Sequence, residues 1–420
     1  MPDQCQGRPY LFLSRSSRHR TPRIMYVLKS HCLQAVCYLC QMAGIYLHIP
    51  FCKQACHYCD FHFSTSLKYK GELIDALIKE IQLQKNYLAG ETIDTIYFGG
   101  GTPSLLNESE ISLLINTITG LHSVAADAEI TLEANPDDLD KAKLQALRQT
   151  PINRFSIGIQ SFFDEDLQWM NRVHRADEAE SAVKRAQDMG FENITLDLIY
   201  GYPLLTDQKW KFNTDKVFEL GVPHVSAYSM TVEPRTALAS FIKQKKQVAM
   251  SDEQSAAQFT FLMDAMHTKG FEQYEISNFC KPGFYSRHNS NYWKGVKYLG
   301  IGPSAHSYNG ETRQWNVANN TKYMQGLGAG LIPAETEILS DIDKLNEYIM
   351  TSLRTSWGLD LDKLNGIASA SADHLQKAAI EFFDKGWLSQ QNKIIYLTQT
   401  GKLYADHIAS ELFFSKEDNY

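Results

Sequence analysis

From residue 42 to about residue 234, short runs of aliphatic and β-branched residues alternate with longer stretches whose apolar positions recur every three or four residues. The short runs predict strands at Ile45–Ile49, Thr95–Phe98, Glu129–Glu133, Arg154–Ile159, Asn193–Leu198 and His224–Met230. Between the first two, Leu73, Leu77 and Ile81 recur at four-residue spacing with Ile74 and Ile78 beside them, the pattern of one buried helix face. Strand-helix alternation predicts a parallel sheet, because parallel neighbours need a crossover long enough to hold a helix. Bent round, six such units make an α/β fold of the partial (β/α)6 TIM-like barrel type, with its chemistry at the C-terminal ends of the strands.

Beyond about Ile332 the pattern turns helical. Leu345–Leu353 and a stretch from Ala372 to Lys385 read as helices, a short hairpin passes through Ile394–Leu397, and a last helix runs to Phe413. That order suggests a winged-helix-like module. The expected division is a leader at 1–41, a barrel core at 42–234, an extension at 235–331 and the C-terminal module at 332–420.

Composition changes this picture in two places. The chain has 420 residues, 44% apolar and 21% charged, and it lacks an apolar run long enough to cross a bilayer, so a globular protein is expected. The formal net charge of −7 argues against nonspecific affinity for nucleic acid, and no nucleic-acid partner is expected. The leader differs from the rest, with Cys5, Cys32, Cys37 and Cys40, several arginines and Asp3 as its one acid. Met42 directly precedes the first predicted strand, so the favoured reading of the leader is an overlong start. An Arg/Ser-rich, acid-poor transit peptide is the alternative.

The densest chemistry follows the first strand. Cys52, Cys56 and Cys59 have C-x3-C-x2-C spacing, which can put three thiolates on three irons of a [4Fe-4S] cluster and leave the fourth iron without a protein ligand. Electron-transfer clusters are normally closed by four cysteines, and a zinc site would need a further ligand pair nearby. Three buried structural thiols are the alternative.

The spacing, with Tyr58 inside it, resembles the radical S-adenosylmethionine (SAM) superfamily. In that superfamily the open iron chelates the amino and carboxylate groups of SAM, and an electron from the cluster cleaves SAM to an adenosyl radical. The resemblance implies SAM-binding groups at successive strand ends. Candidates occur there: Gly99-Gly100-Gly101-Thr102 after the second strand, Glu133 at the third, Gln160 after the fourth and Asp197 near the end of the fifth. Glycines let a backbone approach a ligand, Gln160 offers a donor and an acceptor, and Asp197 is a charge in an apolar run that needs a partner if buried. Arg172 can clamp a carboxylate. Taken singly, a solvated edge carboxylate at 133 or an exposed helix arginine at 172 is the plainer reading.

Together the motifs resemble the oxygen-independent coproporphyrinogen III oxidase (HemN) family, and more closely its HemW branch of heme chaperones, from about Gly44 to the C-terminus. The resemblance implies that Cys52, Cys56 and Cys59 hold the cluster and that Tyr46, Gly100, Gly101, Thr102, Glu133, Gln160, Arg172 and Asp197 bind SAM. The oxidases carry C-x3-C-x2-C-x-C, whereas Phe61 stands at the last position here. That departure, and a leader without a recognisable match, put porphyrinogen decarboxylation in doubt. The run His288-Asn-Ser-Asn-Tyr-Trp293 resembles the HemW element associated with heme binding, which implies His288 as a heme ligand; Cys280 is an alternative thiolate. His306, in a Gly-rich segment, is a candidate for closing over the SAM site. The implied partners are heme and recipient hemoproteins, including membrane-bound respiratory ones, for a monomer or dimer in the cytoplasm or peripheral at a membrane. The rival functions are an oxygen-independent coproporphyrinogen oxidase or another radical SAM enzyme.

Overall fold

The computed structural model describes residues 42–415. The leader 1–41, with its four cysteines, and residues 416–420 lie outside the described residues. Six strands run parallel and in chain order: β1 (Met42–Ile49), β2 (Thr92–Gly100), β3 (Val124–Ala134), β4 (Arg154–Gln160), β5 (Ile194–Tyr200) and β6 (His224–Ser229). The predicted positions of all six correspond to strands. β3 begins earlier than its predicted position, because its first residues, Val124 to Asp127, run from half-buried to exposed without a two-residue alternation, yet Val124 pairs with Ile93.

Helices fill the crossovers. Lys70–Leu83 buries Leu73, Ile74, Leu77 and Ile81, as their spacing predicts. Glu108–Leu121 opens with a capping box, in which Asn107 Oδ1 accepts from the Glu110 amide at 2.8 Å and the Glu110 carboxylate accepts from the Asn107 amide at 2.8 Å.

Residues 235–338 extend the sheet at both ends. β7 (Glu272–Glu275) and β8 (Asn278–Cys280) add antiparallel strands beside β6, and β9 (Lys297–Ile301) adds a parallel strand beside β1. β10 (His306–Tyr308), β11 (Thr312–Asn316) and β12 (Ala334–Ile338) continue outward. The result is one twelve-stranded sheet in the order β12-β11-β10-β9-β1-β2-β3-β4-β5-β6-β8-β7.

Alternate residues of a strand point to opposite faces. Ile45, Leu47, Ile96, Phe98, Leu132, Phe155, Ile157, Leu196, Leu198 and Val225 are fully buried in the main apolar core. The other face is polar, and the register brings Tyr46 beside Tyr97, Glu133 beside Ser156 and Asp197 beside Ser226. Polar groups on a covered face need partners, and one end of this face is supplied by the helix Arg287–Trp293. Its N-cap is Ser286, and its first backbone amides, Arg287 N and His288 N, donate to the two carboxylate oxygens of Glu129, each at 3.0 Å. A carboxylate there satisfies helix-end donors and meets the positive end of the helix dipole.

The C-terminal module has its own core around Leu345, Ile349, Leu364, Leu375, Phe382, Ile395 and Ile408. It is built of helices and a three-stranded sheet, β13 (Leu359–Asp360), β14 (Leu388–Gln391) and β15 (Ile394–Leu397), ordered β13-β15-β14. The helix expected from Ala372 to Lys385 is two, Ser371–Ala378 and Ile380–Asp384. Among the described residues, no helix is long and apolar enough to cross a membrane.

Replacing Glu129 by alanine leaves two helix-end amides without acceptors. We expect Glu129→Ala to cost about 2–4 kcal/mol, measured as a shift of the urea unfolding midpoint; a loss below about 0.5 kcal/mol would show that the helix does not depend on this carboxylate.

Candidate metal and cofactor site

The loop after β1 is closed by its own ends. The Cys52 amide donates to Ser64 O at 3.0 Å, and the Ser64 amide donates to Pro50 O at 2.8 Å. Its outer side is fastened to the segment around Asn171: Gln54 Nε2 donates to Asn171 Oδ1 at 2.7 Å, Asn171 Nδ2 to Ala55 O at 2.7 Å, and the His57 amide to Met170 O at 3.1 Å. Lys53 pairs with Asp137 at 2.6 Å and also contacts Asp138. The three cysteines are thereby held in the wall of a single cavity of about 500 Å³ over the C-terminal ends of the parallel strands.

Cys52 Sγ accepts from Thr102 Oγ1 at 3.6 Å, and Cys56 Sγ accepts from Arg172 at 3.5 Å. Burial raises the Cys52 thiol and pushes the Cys59 thiol up to about 11. Nothing in the protein alone makes these two thiolates, so a bound metal centre is what would draw off their protons. Among the described residues, no three His, Cys, Asp or Glu side chains are gathered for a single metal ion. Three cysteines spread along one cavity wall suit a larger centre, and the donor set is all sulfur, the usual ligation of an iron–sulfur cluster.

The cavity receives most of the predicted rim. Gly100, Gly101, Thr102, Glu133, Gln160, Arg172 and Asp197 all line it. Gly100 has φ +107°, and a Cβ there would lie 2.6 Å from His48 Nδ1; one at Gly101 would lie 2.6 Å from Phe51 O. The loop therefore runs closer to the cluster segment than any side chain would allow. A register shift between Gly158 and Gln160 ends β4, and Gln160 takes φ +67°, a left-handed conformation unusual outside glycine that turns the chain at the cavity edge.

Arg172 is half-buried and donates to Asn135 Oδ1 at 2.7 Å and Gly158 O at 2.8 Å, and its Nε, shielded from solvent, has no protein partner. Asp137 Oδ1, also in the cavity wall, has none either. Leftover buried polar atoms are expected where a polar ligand completes a site.

Two carboxyls face each other across the floor. Glu133 accepts from Tyr97 OH at 2.8 Å and from the Gly100 amide at 3.1 Å. Burial pushes its pKa up to about 7, with those two hydrogen bonds pulling the other way. Asp197 accepts from Ser156 Oγ at 3.2 and 3.1 Å, and burial, then repulsion from Glu133, push it up to about 7. A cationic ligand would favour both charges.

Four residues singled out in the sequence lie elsewhere. Tyr46 stands beside the cavity, stacked on Tyr97 at 6.0 Å with its hydroxyl 3.3 Å from His48 Nδ1. His288 is 2% exposed; Nδ1 lies 2.8 Å from Thr95 Oγ1, and Nε2 lies 2.9 Å from Tyr292 OH. Burial lowers its pKa to about 3, so the ring is neutral, and in this arrangement both nitrogens are occupied. His306 stacks on Trp315 across the β10–β11 pair, away from the cavity wall. Cys280 is buried at the end of β8 opposite His224.

Tyr97, Asn135, Ser156 and Tyr228 line the cavity without having been singled out by sequence. The available signal was period two along the strands: Tyr97 is two residues before Gly99, and Tyr228 two after Ser226.

A family model described as the radical SAM superfamily matches residues 46–213, and one for the HemN C-terminal domain matches residues 339–404. The heme chaperone HemW of Bacillus subtilis is 33% identical over 371 residues, spanning 87% of this chain and 98% of that protein. HemW of Mycobacterium tuberculosis is 35% identical over 377 residues, spanning 89% and 95%. The solved structure of coproporphyrinogen III oxidase HemN from Escherichia coli superimposes with a TM-score of 0.77 at 24% identity, covering 89% of this chain and 90% of that one, a likeness of fold. With the radical SAM core, the C-terminal module and this extent of identity, the chain belongs to the HemW family of radical SAM proteins.

Proposed function

We propose that this protein is a heme chaperone that holds a [4Fe-4S] cluster on Cys52, Cys56 and Cys59, binds SAM in the cavity beside them, and hands heme to recipient hemoproteins. The observation that carries the reading is the convergence of three thiols, a glycine loop, Arg172 and two carboxyls in one cavity. The relatives named as heme chaperones support the heme part.

Each residue has a physical task in this reading. The Gly100–Gly101 backbone and Thr102 approach the amino-acid end of SAM, and Glu133 supplies a carboxylate for its ammonium. Arg172 supplies a guanidinium for its carboxylate, and Gln160 and Asp197 take polar groups further along. When bound, cluster and SAM supply one-electron chemistry. Phe61 is 67% exposed, so the position that carries a fourth cysteine in the oxidases here presents an apolar ring to solvent. His288 as heme ligand, the role the resemblance implies, requires the Tyr292 hydroxyl to release Nε2. A cytoplasmic or membrane-peripheral location and delivery to membrane-bound hemoproteins complete the proposal.

Titrating heme into anaerobically reconstituted protein tests it. We expect a saturable Soret change, weakened by His288→Ala, and no decarboxylated product from coproporphyrinogen III. Absence of saturable binding would overturn the chaperone reading, and product formation would establish the oxidase in its place.

The floor carboxyls predict a pH effect whose sign is fixed. A carboxyl with a higher pKa folded than unfolded keeps its proton better in the native state. Its presence therefore costs stability progressively as pH rises from the ordinary carboxyl range to about 7, and the cost persists above. Asp197→Asn in the SAM-free protein should raise stability by about 1–2 kcal/mol at pH 8 and by much less at pH 5, while weakening SAM binding. Thermal unfolding at the two pH values checks this, and equal effects at both would contradict the assignment of strain to this carboxyl.

A further inference from the structure

The His288 motif has a geometry that heme ligation does not account for. Its ring lies flat on Tyr97, with centroids 4.8 Å apart and planes 21° apart. The hydroxyl of that same Tyr97 donates to Glu133 at 2.8 Å, and the only other donor to Glu133 among the described residues is the Gly100 amide at 3.1 Å. One of two fixed contacts on a cavity carboxyl is thus carried by a ring whose face His288 covers.

His288 is held unusually firmly for a residue that only fills space. Nδ1 is tied to Thr95, which precedes Tyr97 by two residues on the same face of β2, so the imidazole is bonded to the strand it stacks on. Nε2 is tied to Tyr292, one helical turn further along the same helix. The His288 amide is tied to Glu129 at 3.0 Å. The i, i+4 relation gives a physical reason for the tyrosine at the fifth position of the motif. The next residue, Asn289, reaches the cavity wall. Every polar group of the imidazole is satisfied, and a fully satisfied buried network fixes geometry.

We propose that His288 is a positioning residue for the SAM pocket: packed on Tyr97, it fixes the hydroxyl that aims Glu133 at its ligand. This rests on the reading of Glu133 as a SAM contact. Hydrogen bonding from Tyr97 favours the charged form of Glu133, so loosening Tyr97 makes ionisation harder. The other titratable groups around Glu133 are Tyr46 from β1, Asp197 from β5, Tyr228 from β6, Tyr292 from the motif helix and Cys52 from the loop. None of these is bonded to the Glu133 carboxylate, so Tyr97 is the side chain through which a change at His288 reaches it.

The test is the SAM dissociation constant of the reconstituted full-length protein between pH 6 and 9, by equilibrium dialysis, for wild type, Tyr97→Phe, His288→Ala and the double variant. Tyr97→Phe keeps the stack and removes only the hydroxyl. At pH 7 each single change should weaken SAM roughly ten- to hundredfold, the effect of one hydrogen bond to a charged group, and should move the pH midpoint of binding upward. The double variant should be no weaker than His288→Ala by more than about twofold, because both act on one contact. Unchanged SAM affinity in His288→Ala, additive losses in the double variant, or a loss equal at every pH would overturn the proposal. If His288→Ala does not fold, Thr95→Val removes only the Nδ1 partner and should shift the midpoint in the same direction; no shift there overturns the proposal too. A wild type that fails to bind SAM overturns the pocket reading itself, whereas normal wild-type binding with unaltered variants overturns only the role of His288.

Discussion

A half-buried carboxyl with fewer hydrogen-bond donors than it can use is the constraint around which this site is built. Glu133 has two, Tyr97 OH and the Gly100 amide, and faces a second half-buried carboxyl at Asp197. Burial holds both near neutrality in their titration, at about 7. A folded protein keeps such an arrangement when the missing partner is a ligand, and the cost in stability is the usual counterpart of a poised site. Across the same cavity, Arg172 keeps Nε unpartnered, and burial raises the Cys52 and Cys59 thiols. Negative, positive and sulfur donors thus converge on one volume, and each is left incomplete.

The sheet explains how this is possible. Its outer face is apolar and packed under helices, while its inner face is a lattice of polar residues brought together by register. Where that lattice is closed by the helix Arg287–Trp293, donors and acceptors match, as at Glu129 and His288. Toward the C-terminal strand ends they do not. The motif helix also meets the C-terminal module, because Arg354 lies over the Trp293 ring at 5.4 Å and pairs with Glu275 at 3.2 Å. Coupling of binding free energies is reciprocal. Anything that draws His288 away from Tyr97, heme included, would therefore work against the SAM pocket.

Much of this was legible in the residues because it is local. The six parallel strands announce themselves by short apolar runs, the crossover helix 70–83 by four-residue periodicity, and the loop cysteines by spacing. The rim residues fall on one side because a (β/α) repeat puts every parallel strand's C-terminal end there. What escaped depends on distant pairing. That β9 would join β1 while β8 joins β6 follows from contacts between segments some two hundred and fifty and fifty residues apart, which no local period encodes. His288 reads as a free ligand in the sequence because its partners, Thr95 and Glu129, come from strands far away in the chain. Tyr46, which the resemblance implies as a SAM contact, stacks on Tyr97 beside the cavity, a neighbour set by the β1–β2 register. Tyr97 itself was overlooked although strand alternation puts it on the face of Gly99 and Glu133.

The most direct test of one joint cluster and SAM site is electron paramagnetic resonance of the reconstituted, reduced protein with and without SAM. A [4Fe-4S] signal whose line shape changes on adding SAM, and that is lost in Cys52→Ser, is the result expected of an open iron beside this cavity. A signal indifferent to SAM, with four-iron stoichiometry intact, would contradict it and leave the cavity without the ligand its unpaired groups imply.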